Sequence, residues 1–180
     1  MSTTKGRTYE YIVRDFCVAL GIRARRRKLS GSDLKKPYDV KLIGMAATDT
    51  DPALRRKLFP VFIEAKRRMF EGDAITLEKD WIDRIGVRNI VVFAVGRHPG
   101  RPMRHYCICQ PQQVSPEVHF VNELHMKKYM KVKEEQVENK PAKLYCGDKI
   151  FCIVTFEYWL RYNGYMAALP DKEISNGSGT

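Results

Sequence analysis

The sequence predicts an α/β protein, a mixed central sheet with helices on its faces. Three observations predict it. A stripe of helical period opens the chain at residues 8–20, apolar runs of strand length follow at 38–45, 59–66, 89–95 and 106–110, and a second helical stripe falls at 76–85. Over the first 114 residues the order is therefore helix, strand, strand, helix, strand, strand.

In the first helix, Tyr9, Ile12, Val13, Phe16, Cys17 and Leu20 recur at spacings of three and four, and Gly21 supplies the stop. Glu10 lies on the flank of that stripe, so its carboxylate reaches the edge of whatever the helix covers. A basic run, Arg25-Arg26-Arg27-Lys28, then leads into the flexible Ser30-Gly31-Ser32. Residues 38–45 alternate as a strand, and 46–57 read as a loop with a helical turn near 52–57. The stretch 59–66, FPVFIEAK, is a second strand with Pro60 at its start. Thr76 is placed to cap a helix running to about Ile85 with Ile75, Trp81, Ile82 and Ile85 inward and Gly86 closing it. The nearly unbroken apolar run 89–95 predicts a strand buried on both faces.

The rest is less regular. Ser115-Pro116-Glu117 has the form of a helix start, 127–143 reads as charged and solvated, 149–154 as a strand, and 155–163 as a short helix with Phe156, Trp159 and Leu160 inward. Residues 171–180 have the composition of a disordered tail. The division expected is a core at 1–114, an extension at 115–170 packed on the core or at a dimer interface, and the tail.

Composition bounds the function. With 180 residues, 44% apolar and 29% charged, the chain suits one domain with an appendage. No apolar run approaches the roughly 20 residues of a membrane-spanning helix, and no signal-type segment opens the sequence. Five cysteines without a regular framework suit a reducing compartment, so an intracellular location is expected: cytoplasm or nucleoid, or a host cell's cytoplasm. Net charge is +11, and its distribution is uneven. Residues 115–180 hold nine Lys/Arg against nine Asp/Glu, so the whole excess lies in 1–114. A front portion of that sign suits a polyanion, and nucleic acid is the commonest one.

Four residues carry the chemistry. Glu64 and Lys66, two apart on a strand, point to one face at the end of the apolar run Val61-Phe62-Ile63. With Asp39 on a neighbouring strand, the two carboxylates and the Ala65 carbonyl form a hard, oxygen-only set suited to Mg²⁺ or Mn²⁺. Lys66 beside them is placed to orient a water or steady charge on a phosphate oxygen. The chemistry indicated is metal-assisted phosphodiester hydrolysis.

This arrangement, Pro37-Tyr38-Asp39 with Glu64-Ala65-Lys66, resembles the PD-(D/E)xK nuclease superfamily and its restriction-endonuclease-like fold. Within it the similarity is to archaeal-type Holliday junction resolvases, carried by Lys5-Gly6-Arg7-Thr8-Tyr9-Glu10, by Lys28, Ser30-Gly31-Ser32, Pro37 and Asp39, and by Ile63–Lys66. It covers about residues 5–110. The resemblance implies that Glu10, Asp39 and Glu64 are metal-site acids, Lys66 the catalytic lysine and Ser30 a loop residue that helps catalysis. It further implies phosphate contacts from Arg25, Arg26, Arg27 and Lys28, and a DNA-binding set extended by Ser32, Lys35, Lys36, Arg67 and Arg68. Tyr11 stands where archaeal members often carry Arg, which moves one phosphate contact to Arg7 or Arg14. The segment between Asp39 and Glu64 is longer than usual, and residues 115–180 have no counterpart, a mixture that suggests a viral or phage-borne relative. The implied protein is a Mg²⁺-dependent homodimer that places paired symmetric nicks in four-way DNA junctions. Two rivals stay open, a repair or restriction-like nuclease on other DNA structures and an inactive basic DNA-binding protein.

Other motifs have plainer explanations. Cys107-x-Cys109 near His105, with His119 and His125, invites a zinc reading, but one intervening residue falls short of a zinc knuckle's spacing and fits buried core thiols. Asp80 and Asp83 fit a solvated helix face with Lys79 and Arg84, and Glu78 and Lys79 better suit contacts behind the site. Residues 156–160 fit a packing stripe more closely than a base-stacking platform, with Tyr158 and Tyr162 as possible exceptions.

Overall fold

The computed structural model describes residues 3–27, 38–45, 60–66, 74–95, 103–138 and 140–165, with backbone alone for 3–8 and 45. Its architecture is mixed α/β, a central mixed sheet with helices on both faces, as the sequence predicts. The elements run α1 (Thr3–Ala19), β1 (Ile22–Arg26), β2 (Val40–Met45), β3 (Val61–Lys66), β4 (Ala74–Glu78), α2 (Lys79–Ile82), β5 (Asn89–Ala94), β6 (His105–Cys109), β7 (Asn122–Met126), β8 (Tyr129–Lys133), β9 (Ala142–Cys146), β10 (Lys149–Thr155) and α3 (Phe156–Tyr162). Eight strands form the main sheet in the order β1-β2-β3-β5-β6-β10-β9-β7, and β4 and β8 form a separate two-stranded ribbon.

Helix α1 follows its sequence pattern. Tyr9, Val13 and Cys17, four residues apart, are fully buried, and Gly21 ends the helix at a φ of 78°, which an L side chain rarely adopts. On the same side of the sheet α3 is capped by Thr155, whose Oγ1 accepts the Tyr158 N–H at 3.2 Å. Together α1 and α3 cover a core that includes Val40, Leu42, Ile63, Val92, Cys107, Val154, Phe156 and Trp159. A second core lies on the opposite face, where α2 and the β4–β8 ribbon bury Ile75, Leu77, Ile82, Val91, Phe93, Ile108, Val132 and Leu144. β5 is buried along most of its length by these two layers, as its apolar run predicts.

Three expectations need correction. The stretch at 76–85 is not one helix: Ala74–Glu78 alternates as a strand, and only Lys79–Ile82 is helical. Isoleucine and leucine at 75 and 77 have period two, and pairing with β8, more than fifty residues away, overrides the capping signal at Thr76. The basic run is itself part of a strand, since Ile22–Arg26 pairs with β2 through a register shift between Arg23 and Ala24. Ser115 starts no helix; its Oγ accepts the Glu117 N–H in a turn, after a 3₁₀ turn at Pro111–Gln113. The described residues of 127–143 are charged and largely solvated as expected, and they also hold β8 and the first residues of β9. The loop expected at 46–57 and the tail at 171–180 lie outside the described residues.

β7, β9 and β10 continue the main sheet, while β8 belongs to the ribbon. β10 pairs antiparallel with β6, and Phe156 of α3 packs 5.9 Å from Phe16 of α1. Among the described residues no helix is long and apolar enough to cross a membrane. Trp159 is 1% exposed and stacks on Tyr165 at 5.3 Å, so Trp159→Ala is expected to lower stability by about 3–5 kcal/mol, read by urea denaturation followed by circular dichroism.

Candidate active site

β3 is the element that aims the site. Val61, Ile63 and Ala65 point into the α1 core, so Phe62, Glu64 and Lys66 point to the other face. β2 pairs with β3 so that Val40 stands opposite Ile63. Asp39, one residue before Val40, therefore falls beside Glu64, one residue after Ile63.

Three hydrogen bonds fix Asp39. Its N–H donates to the Ile63 carbonyl at 2.9 Å, its carbonyl accepts the Arg27 N–H at 2.8 Å, and its Oδ2 accepts the Ala65 N–H at 2.8 Å. The residue is 8% exposed. Burial, then the negative charge of Glu64, pushes its carboxyl up to about 6, while the Ala65 N–H and Lys66 pull the other way. Glu10 adds a smaller upward push, which places the helix acid within electrostatic reach of the strand acids.

The other two acids are paired. Glu64 Oε1 lies 2.5 Å from Lys66 Nζ, and that ammonium sits 4.5 Å from the centre of the Trp81 ring. Glu10, 7% exposed, accepts from Arg26 Nε at 2.5 Å. Arg26 also lies over the Tyr11 ring at 4.8 Å, so it turns inward while Arg25 stays exposed. Arg27 packs over Tyr38 at 5.6 Å, and Tyr38 in turn rests 4.5 Å from Phe62. Arg14 is shared between Asp15, at 2.5 Å, and the Tyr11 ring.

The structure thus brings Glu10, Asp39, Glu64 and Lys66 to one region, with Arg25 and Arg26 on the adjoining edge strand and Arg27 just past its end. Ala65 meets Asp39 through its N–H. Lys28, Ser30, Ser32, Lys35, Lys36, Arg67 and Arg68 lie outside the described residues, as does the side chain of Arg7.

Two contacts escaped the sequence reading. Trp81 reads as core, yet it is half-buried beneath Lys66; Arg26 reads as one of four equivalent cations, yet it is the partner of Glu10. The period of β1 held the second signal, because Ala24 and Arg26 share a face toward α1 once the run is recognised as a strand.

The donor set is made of carboxylate oxygens, one of them desolvated and pushed up by a negative neighbour, and such a set fits a hard divalent cation. Among the described residues, however, no three His, Cys, Asp or Glu side chains close into a metal-ligating group. Glu10 is turned to Arg26 and Glu64 to Lys66 as the side chains stand. The five cysteines are free and buried, in keeping with core thiols at Cys107 and Cys109. Lys79 pairs with Asp83, as a solvated helix face would.

No protein family and no curated protein matches the chain. Among solved structures it is similar to Archaeoglobus fulgidus Hjc, described as a Holliday junction resolvase from an archaeal hyperthermophile. The match has a TM-score of 0.41 and 15% identity, over 74% of this chain and 87% of that one.

The raised carboxyl of Asp39 has a stability consequence. Its folded value of about 6 exceeds the ordinary 3.8, so the folded chain holds the proton more tightly than the unfolded one. Stability is fully aided below about pH 4 and that aid is lost as the pH rises toward 6. Asp39→Asn, which keeps an oxygen for the Ala65 N–H, is expected to stabilise the metal-free protein by about 2–3 kcal/mol at pH 7.5. The gain should shrink toward zero at pH 4, measured by denaturation at both pH values.

Proposed function

We propose that this protein is a divalent-cation-dependent endodeoxyribonuclease that cuts branched DNA, with the four-way junction as its substrate. The observation that carries the reading is the juxtaposition of Asp39, Glu64 and Lys66 on adjacent strand ends, beside a basic edge strand. An acid pair with a lysine serves phosphodiester hydrolysis, and the +11 charge of the chain serves a polyanionic substrate.

Asp39 and Glu64 would hold Mg²⁺ or Mn²⁺, with Glu10 and the Ala65 carbonyl as further oxygens. What such a cation supplies when bound is a water acidified enough to attack phosphorus. The chain's own groups do the rest. The three hydrogen bonds on Asp39 hold its carboxylate in one place, which is the preorganisation a charged transition state rewards. Lys66, supported on the Trp81 ring, would meet the same phosphate as the Glu64-held cation and offset charge growing on its non-bridging oxygens. Arg25, exposed on β1, and the basic residues after it would grip the backbone next to the scissile bond.

A second copy of the chain would give two such sites and paired nicks, leaving 5′-phosphate and 3′-hydroxyl ends. Junctions of any sequence have to be cut, so shape is recognised through the spacing of two sites and two basic surfaces. The same residues would also serve a nuclease of flaps or duplex ends, and substrate choice separates the readings.

Incubation with Mg²⁺ of matched four-way junction, flap, linear duplex and single strand is expected to show preferred, symmetric nicking of the junction. Glu64→Gln and Asp39→Asn should each reduce cleavage to the level of the chelator control while junction binding persists. Equal rates on all four substrates would remove the junction assignment, and metal-dependent cleavage by Glu64→Gln would remove the site.

A further inference from the structure

The segment that reads as solvated charge contains a strand with two different faces. In β8, Val132 is fully buried and Met130 packs partly against the second core, whereas Tyr129, Lys131 and Lys133 point outward and are exposed. Lys127 and Lys128, in the bend that feeds the strand, are exposed as well. Four lysines therefore fall within 127–133, and no acid occurs from 124 to 133.

A run of lysines on a strand is ordinarily neutralised across the ladder. Here Lys131 stands opposite Thr76 and Lys133 opposite Ala74, while Glu78 stands opposite Tyr129. Among the described residues Lys127, Lys128 and Lys131 make no ion pair, and Lys133 approaches Glu135 at 3.7 Å. Nearby acids have cations of their own, Asp83 with Lys79 and Glu138 with Arg104. Lys131 and Lys133, two apart on one face, lie about 6.8 Å from each other and repel. A two-stranded ribbon has little stability to spare for that repulsion.

Position links this row to the candidate site. The Lys79 N–H donates to the Lys128 carbonyl at 2.9 Å, which ties the start of α2 to the bend before β8. Two residues on, Trp81 underlies Lys66. The ribbon and α2 cover the sheet face to which Glu64 and Lys66 point, opposite the face under α1.

We propose that β8 is a phosphate-binding strand, in which Lys131 and Lys133, with Lys127, Lys128 and Tyr129, take the sugar-phosphate backbone of a DNA duplex arm beyond the cleavage site. The proposal rests on the nuclease reading for the identity of the polyanion, and it gives the extension a role in the same reaction. Each neutralised phosphate releases counterions, so the row leaves a signature in salt dependence.

The test compares DNA binding by the full chain carrying Glu64→Gln with the same chain carrying also Lys131→Ala and Lys133→Ala. A 30-base-pair duplex, a length of roughly three helical turns, is titrated between about 50 and 200 mM salt. Losing two phosphate contacts should flatten the plot of log K against log salt by about 1.8. Lys143, on the opposite face and over the Phe120 ring, supplies the control: Lys143→Ala should leave the slope unchanged. If the alanine pair melts early, Lys131→Gln with Lys133→Gln replaces it. An unchanged slope in the double variant overturns the proposal, as does an equal loss per charge from Lys143→Ala, which would make the effect one of net charge. Absence of DNA binding overturns it too. Failure of the unsubstituted chain to cut any DNA with Mg²⁺ or Mn²⁺ refutes the nuclease reading separately, and the slope comparison still decides the surface.

Discussion

Asp39 is the point where three strands are tied together. Its N–H donates to a β3 carbonyl, its carbonyl accepts from Arg27 just past β1, and its carboxylate accepts from a β3 N–H. A residue so held cannot move without shifting the register of the sheet's edge. That rigidity has an electrostatic cost, because the carboxylate is buried beside another acid. Local destabilisation of this kind persists where the surrounding structure over-determines it, which is common at functional sites. The rest of the site follows from that fixed point: β3's alternation sets Glu64 and Lys66, and α1, packed across the opposite face, brings Glu10 to the same end.

The charges in this group do not balance. Glu10, Asp39 and Glu64 carry three negative charges when ionised, and Arg26 and Lys66 carry two positive ones. A negative remainder at the heart of a strongly basic chain would repel a phosphate if nothing else entered. A divalent cation held there, as proposed, would reverse that sign and make the local field and the global field agree. Glu64 would then exchange part of its contact with Lys66, freeing the ammonium for a phosphate oxygen. The Trp81 ring would hold the ammonium during such an exchange, since its contact needs no acid.

Much of this was readable beforehand, for identifiable reasons. α1 and β5 carry strong local patterns, a stripe of period near 3.6 and an unbroken apolar run, and both fold as their patterns say. The E-x-K spacing settles that Glu64 and Lys66 share a face, whatever surrounds the strand. The misread elements are those whose identity depends on distant partners. β4 is five residues long and pairs with β8 more than fifty residues away, and β1 becomes a strand only by pairing with β2 through a bulge. The same dependence hides the Glu10–Arg26 pair, since a helix acid and a strand cation meet only after the sheet forms. The Lys66 contact with Trp81 is hidden for a different reason, because a large aromatic on an inward stripe satisfies the core pattern equally well.

Net charge per segment was a poor guide to the last third of the chain. Residues 115–180 balance nine cations against nine anions, which suggests a neutral bystander. The fold sorts those charges by place. Glu138 ties to Arg104 and Glu157 to Arg161, while the lysines of β8 stand together on one face because Val132 between them has to be buried. Period two in a strand converts a K-V-K sequence into a one-sided row wherever the ribbon has a core to cover. The hydrophobic demand of the second core and the polarity of its outer surface therefore have one cause. A helix over the same residues would spread those lysines over a wider arc. Burial of Ile75, Leu77 and Val132 on the sheet is thus what turns a balanced composition into a directed field on the side of Glu64 and Lys66.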